Sequence, residues 1–287
     1  MAHLRHIQAC NSHDAAAFWP FAVNGRPVGY VRPAFADRVA GLSDAFRLGR
    51  EGGAPLLDLL PTEREARTRA VAEVVSALAD EGLVPPLRGE DFPVVTQWGQ
   101  PELLRLDRAA VPGFGVRGFG LHVNGYVPGP EGGIEMWVGR RARDRGVAPG
   151  KLDNMVAGGQ PAGLTLTENL VKEAREEAGL DPALARRAQP VGAITYVFDT
   201  VAGLRRDTLF CYDLALSRDV IPRNTDGEVE GFELWPLHRV ADSVRTTDDW
   251  KFNVNLVIID FLIRHGRLTP DDEPDYMELV RGLRSAD

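Results

Sequence analysis

The stretch from Gly158 to Leu180, GGQPAGLTLTENLVKEAREEAGL, constrains the chain more than any other. A paired-glycine loop leads into a helix carrying Glu173, Glu176 and Glu177, and Gly179 stops it. Two starts compete: Thr165-x-x-Glu168 resembles a capping box, and Thr167 is an alternative N-cap, so the helix is expected over about 167–178. Leu170, Val171, Ala174 and Ala178 form its apolar side, roughly opposite the carboxylates. Spacings of three and four residues put the three glutamates on one face. Like charges there destabilise a bare helix, so a cation is expected over them. A hard divalent ion such as Mg²⁺, which takes oxygen ligands, is the economical choice.

The flanks read as the scaffold of that helix. Gly120–Val127 and Ile134–Arg140 look like neighbouring strands, joined by a Pro/Gly loop. The basic run from Arg140 through Arg141 to Arg145 reads equally as a solvated loop or as a holder of phosphate oxygens. Strands are expected at 191–198, 208–216 and 232–235, with an acidic turn-rich loop at 224–230. Two helices, 252–265 and 275–283, close the chain.

The first third has a different pattern. A short helix is expected at 2–10, a hairpin around Asn24-Gly25, and strands near 94–97 and 103–106. A long helix should open at Thr62 with Glu65 as its capping partner and end at Gly82. Val-Asn-Gly recurs at 123–125 and reads as a second hairpin-like turn. His3, His6, Cys10 and His13 fall along one stripe, but their spacing matches no zinc pattern and reads as a polar helix face. This α+β third carries no catalytic cluster, and a substrate-shaping or dimerising role is expected, the latter giving a homodimer. The Gly/Pro-rich 108–115 marks a boundary, dividing the chain into 1–112 and 113–287.

Composition excludes several classes. With 44% hydrophobic residues the chain can build sizeable cores, and its net charge of −8 argues against a nucleic-acid partner. No apolar run is long enough to span a membrane, since 254–263 is interrupted by Asn255 and Asp260. Cys10 and Cys211 imply no disulfide framework, and the N-terminus lacks the apolar core of a signal peptide, so a cytoplasmic location is expected.

Carboxylates on one helix beside a glycine loop suit a diphosphate substrate: they bind Mg²⁺, the metal bridges phosphate oxygens, and water is activated near neutral pH. The stretch resembles the Nudix box, G-x5-E-x7-R-E-U-x-E-E-x-G-U with U aliphatic. Gly158, Glu173, Glu176, Glu177, Gly179 and Leu180 match outright, Lys172 replaces the arginine, and Ala174 is a small version of the aliphatic position. Leu164 departs from the first glutamate, for which Glu168 is a candidate substitute. A chance acidic helix rarely has the upstream glycine and flanking strands as well.

The resemblance implies an α/β fold, a Nudix α/β/α sandwich with a mixed sheet, preceded here by a smaller α+β domain. It implies hydrolysis of a diphosphate by a metal and base cluster of Glu173, Glu176 and Glu177, with Mg²⁺, or Mn²⁺ in its place, also reaching Gly158. A carboxylate from a later loop is expected too, Glu228 first and Glu230 second. Arg140, Arg141, Lys151 and Lys172 are the candidate substrate-side cations. The segments FAVNGRPVGYVRP, LHVNGYV, KLDNMVAGGQPAGL, DGEVEGFELW and DDWKFNVNLVIIDFLIRHG resemble a Nudix subgroup related to thiamine pyrophosphokinase fusion proteins. That subgroup also lacks the first glutamate. It implies hydrolysis of thiamine diphosphate and of its oxo- and oxythiamine analogues to monophosphates. Tyr126, Trp137, Tyr196 and Phe198 are candidates to stack on the ring, though strand aromatics are more often core. The alternatives are hydrolysis of ADP-ribose or a nucleotide sugar, or an idle ligand-binding regulator.

Overall fold

The computed structural model describes residues 2–285. In chain order its elements are α1 (Leu4–Cys10), β1 (Trp19–Val23), β2 (Arg26–Val31), α2 (Pro33–Leu42), β3 (Phe46–Glu51), β4 (Ala54–Leu59), α3 (Arg64–Asp80), β5 (Asp91–Val94), β6 (Leu104–Asp107) and α4 (Val111–Phe114). There follow β7 (Arg117–Pro128), β8 (Ile134–Arg141), β9 (Leu152–Asp153), β10 (Val156–Gly159), α5 (Leu166–Ala178), α6 (Pro182–Ala185), β11 (Gln189–Thr200) and β12 (Gly203–Ala215). The chain closes with β13 (Val229–Pro236), α7 (Leu237–Thr246), α8 (Val254–Arg264) and α9 (Tyr276–Gly282).

The larger sheet runs β11-β12-β7-β8-β13, with β10 on β7 and β9 on β8. It is mixed, because β12 and β7 pair in parallel while the other ladders are antiparallel. β7 and β8 pair only over Tyr126–Pro128 and then part. The short β9 and β10 fill the gap, and β10 lays Gly158 opposite Leu121 and Gly159 opposite Gly120. Period-2 alternation sends Leu121 and Val123 to the face covered by Leu170, Ala174 and Ala178 of α5. Leu209 and Cys211 face the other way, onto α8. That helix is apolar nearly all round and is buried from Val254 to Leu262. Helix, sheet and helix therefore make the expected α/β/α sandwich with a mixed sheet.

The smaller sheet runs β2-β1-β4-β3, with β1 and β4 parallel. Phe21, Leu57, Leu59, Val74, Leu78 and Phe114 form its core. The Asn24-Gly25 hairpin forms as expected, both residues at positive φ. α1 packs elsewhere: Ile7 and Cys10 belong to the core around α8, and Ile7 fills the space that a Cβ on Gly282 would need.

Several local expectations change. α3 starts at Arg64, its N-cap Glu63 makes no side-chain cap bond, and Glu65 pairs with Arg64 instead of closing a box with Thr62. Val123-Asn124-Gly125 is no turn; it lies inside β7, where its pairing with β12 continues to Tyr126. The strand expected at 94–97 lies at 91–94.

Gly115 joins the two cores. It caps α4 in the left-handed region at φ 55°, and an added Cβ would collide with the Tyr30 backbone. Gly82 has a similar φ of 73° but open space around it. Gly82→Ala is therefore expected to cost about 1 kcal/mol of left-handed strain. Gly115→Ala should cost clearly more, about 2–4 kcal/mol, because backbone must also move. Urea unfolding of both variants checks the difference.

Candidate active site

β10 and α5 build the site together. α5 opens with the Thr165 box rather than Thr167: the Glu168 N–H donates to Thr165 Oγ1 (3.2 Å), and the Thr165 N–H donates to Glu168 Oε2 (2.8 Å). That role occupies Glu168, which does not stand in for the missing glutamate. Leu164 is part-exposed, and its carbonyl accepts from Gln160 Nε2 (2.7 Å). Asn169 Nδ2 donates to the Gly159 carbonyl (2.7 Å), so the helix holds its own entry loop.

Two of the three helix carboxylates reach the strand. Glu173 lies over Gly158, where an added Cβ would collide with its carboxyl group. The φ of Gly158 is not positive, so the position demands space and not unusual backbone. Glu177 is buried, and its Oε2 accepts the Ala157 N–H (2.7 Å). Burial pushes the Glu177 carboxyl well above the usual range, and the charge of Glu173 adds to it. Burial likewise raises Glu173. Glu176 is half-exposed and shares the Lys172 ammonium with Glu173 (2.9 and 3.0 Å). Burial works against the charge of Lys172, but these two bonds outweigh it and hold its pKa above the usual lysine value.

The other expected cations and carboxylates disperse. Glu228 pairs with Arg145 (2.6 Å) and Glu230 with Arg143 (3.4 Å), so the basic run serves the acidic loop. Arg140 donates to the Gly150 carbonyl and Lys151 to the Asp248 carbonyl, neither at the cleft described below. Arg141 turns inward to Asp153 (2.7 Å), which also faces Lys251 at 3.4 Å. His3 bonds Glu273, His6 the Val244 carbonyl and Cys10 the Phe252 carbonyl, so three members of that series serve packing.

Beside β10 lies a cleft of about 600 Å³, counting its open mouth. Arg205, Lys251 and Arg108 bring positive charge to it, and His122, Gly158 and Gly159 form part of its lining. Gly120 lacks the Cβ that would lie 2.9 Å from the Gly158 carbonyl oxygen. The β5–β6 hairpin supplies another wall. The Phe92 ring fills the space a Cβ on Gly159 would need, and the Ala162 N–H donates to the Asp91 carbonyl (2.8 Å). Phe92 and Phe119 are the aromatics here. The four expected ring-stackers belong to the cores instead. Tyr196, for example, is fully buried and donates to Asp207 (2.7 Å).

Among the described residues, no three His, Cys, Asp or Glu side chains form a ready-made metal cage. The donor chemistry nevertheless fits a hard divalent cation. Glu173 and Glu177 are oxygen donors withdrawn from water, each raised in pKa, and a cation would relieve that strain.

Residues 2–118 match a family model described as a domain of unknown function, DUF4743. The chain is 42% identical over 286 residues to Nudix hydrolase 24, chloroplastic, of Arabidopsis thaliana, covering 99% of this chain and 78% of the relative. It is 41% identical over 290 residues to Nudix hydrolase 20, chloroplastic, of the same plant, covering 98% and 77%. The chain belongs to the Nudix hydrolase family. This Nudix protein is thus a hydrolase of diphosphate bonds, in a family that generally uses divalent metals. The cytoplasmic expectation is overturned, since both relatives are named chloroplastic. Two buried free cysteines speak to redox state and not to compartment.

Gly158→Ala should push the Glu173 carboxyl off β10 and lower kcat/KM about 100-fold, with little change in melting temperature. Steady-state kinetics and thermal melts of this Nudix variant check both. His122 gives a pH test. Burial lowers its pKa from 6.5 to about 4 in the folded chain, so between those values the unfolded chain binds a proton that the folded one does not. Stability should therefore fall as pH drops from 6.5 to 4, with about 3 kcal/mol of the loss due to this residue. That share should be absent in His122→Gln, as read by urea unfolding at each pH.

Proposed function

We propose that this Nudix hydrolase cleaves the diphosphate of a small ring-bearing molecule, namely thiamine diphosphate and its oxo- and oxythiamine analogues. The products are the monophosphate and phosphate. The observation that carries the reading is that the buried Glu177 and part-buried Glu173 pack on β10, the strand whose Gly158 and Gly159 also line a small cleft with Arg108, Arg205, Lys251 and Asp207. The two glutamates themselves do not line it. The resemblance of five sequence segments to the thiamine-related subgroup supports the substrate.

In this reading, residues 113–287 carry the hydrolase and 1–112 supplies a wall of its cleft. Glu173, Glu177 and the Gly158 carbonyl would hold Mg²⁺, or Mn²⁺ in its place. The ion neutralises diphosphate oxygens and makes water a better nucleophile when bound. Glu176 and Glu228 join when their pairs with Lys172 and Arg145 open. Lys172 orients Glu173 and Glu176, while Lys251, Arg205 and Arg108 bind phosphate oxygens in the cleft. Water forms the new P–O bond, the bridging P–O bond breaks, and the water proton passes to a carboxylate of the cluster.

The purified chain with Mg²⁺ and a panel of diphosphates tests this. Release of phosphate and thiamine-type monophosphate from oxythiamine diphosphate is expected. Turnover of ADP-ribose but of no thiamine compound would replace the substrate, and tight binding without turnover would favour a regulator. Glu177→Gln should lower kcat about 1000-fold or more while the circular dichroism spectrum is unchanged.

A further inference from the structure

A polar chain runs along the α8-facing side of the sheet, from the cleft to Arg264 at the end of α8, and its direction is fixed from that end. Asp213 is clasped by Arg264 through two bonds (2.5 and 3.0 Å). Burial alone would raise its pKa, but the bonds from Arg264 and Asn124 hold it below the usual range, so it stays a carboxylate. A carboxylate can only accept, so Asn124 turns its amide nitrogen to Asp213 Oδ1 (3.0 Å). The Asn124 oxygen is then left for Asn154, whose Nδ2 donates to it (2.8 Å). That leaves the Asn154 oxygen as the partner of His122 Nδ1 (2.8 Å). An oxygen facing Nδ1 requires Nδ1 to carry the proton. An amide flip at any link would set two donors or two acceptors against each other, so the carboxylate settles the tautomer.

The other ring nitrogen follows. Among the described residues His122 Nε2 has no protein partner, and it is not among the buried unpartnered atoms. His122 lines the cleft, paired opposite Ala157 and two residues from Gly120 on β7, with Lys251 and Arg205 also lining it. The cleft is otherwise lined by donors from Arg108, Arg205 and Lys251 and by Asp207, whose carboxylate already accepts from Arg205 and Tyr196 (2.7 Å each). A neutral acceptor among those donors is unsuited to phosphate oxygens, which accept, and suited to an N–H or O–H group.

We propose that His122 presents an unprotonated Nε2 to the cleft as a specificity-determining acceptor, its tautomer set by the Asn154–Asn124–Asp213 chain, and that it selects diphosphates whose organic part carries an N–H or O–H donor. The proposal rests on the cleft being the substrate site of the hydrolase proposed above. The acceptor disfavours an organic part that offers no donor, which leaves the imidazole lone pair unmet in a buried site, whereas oxythiamine still meets it through its lactam N–H.

Two measurements test it, one of which needs no turnover. Nitrogen-15 NMR of the full chain labelled at histidine, with the His122 signals assigned through His122→Gln, should show Nδ1 protonated and Nε2 unprotonated at pH 7. Protonation of Nε2, or of both nitrogens, would overturn the proposal. In kinetics with Mg²⁺, wild type should prefer thiamine diphosphate over its desamino analogue by about tenfold in KM, the weight of one net hydrogen bond. His122→Phe should lose that preference. A preference that survives in His122→Phe, or that is absent from an active wild type, would overturn the acceptor role. Inactivity of wild type towards both compounds would overturn the thiamine reading alone, and the tautomer would still decide this one.

Discussion

Everything at the site depends on the close approach of α5 to β10. A helix bearing Glu173 and Glu177 lies against a strand at the point where that strand has a glycine, so a carboxyl group occupies the room of a missing side chain. One backbone N–H, that of Ala157, satisfies one oxygen of Glu177, and little else answers the charge. Withdrawing a buried and a part-buried carboxylate from water side by side is unfavourable unless something positive is close, and both groups respond by holding protons more tightly. Lys172 supplies part of the answer from the helix surface. In the proposed function a divalent cation is the remainder.

The sheet is shaped to permit that approach. Because β7 and β8 separate after three residue pairs, β10 can slip between them and carry Gly158 and Gly159 beside the cleft. Each glycine is used by a different neighbour. Gly158 gives its space to Glu173, and Gly159 gives its space to Phe92 of the β5–β6 hairpin. The first third of the chain is therefore wedged against the catalytic loop and contributes Phe92 and Arg108 to the cleft. Its contact with Gly159 is steric and specific, which ties the two cores at the point where chemistry is expected.

The sequence was most legible where local rules and tertiary structure agree. α5, its Gly179 stop and its apolar side follow from helix periodicity and end signals, which do not depend on distant residues, while its start stays open between Thr165 and Thr167 until the structure shows the Thr165 box. The strands flanking it were readable for the same reason. Where partners lie far apart in sequence, the reading failed. The Thr62 box is absent because Glu65 takes Arg64, and Val123-Gly125 looks like a turn but is held straight by β12. α2, β3, β4 and α7 are not anticipated; β3 and β4 are only six residues each, whereas α7 buries Leu237, Val240 and Val244 at a helical period that is readable in the sequence. Lys251, Arg205 and Arg108 were missed as cleft residues, since nothing local distinguishes them from surface cations. Lys251, His122 and Asp153 did fall within the segments that carry the subgroup resemblance, and that was the available signal. Arg140 and Lys151 show the converse error: charge near a motif in sequence, but bonded to carbonyls elsewhere in space.

The central claim is that Glu173 and Glu177 form a carboxyl pair withdrawn from water that a divalent cation completes. Carbon-13 NMR of carboxyl-labelled glutamate, titrated with pH in the absence and presence of Mg²⁺, tests it most directly. Without the ion, the Glu177 carboxyl should titrate well above the ordinary glutamate range, and saturating Mg²⁺ should bring it below that range. An ordinary Glu177 pKa that Mg²⁺ leaves unmoved would contradict the account.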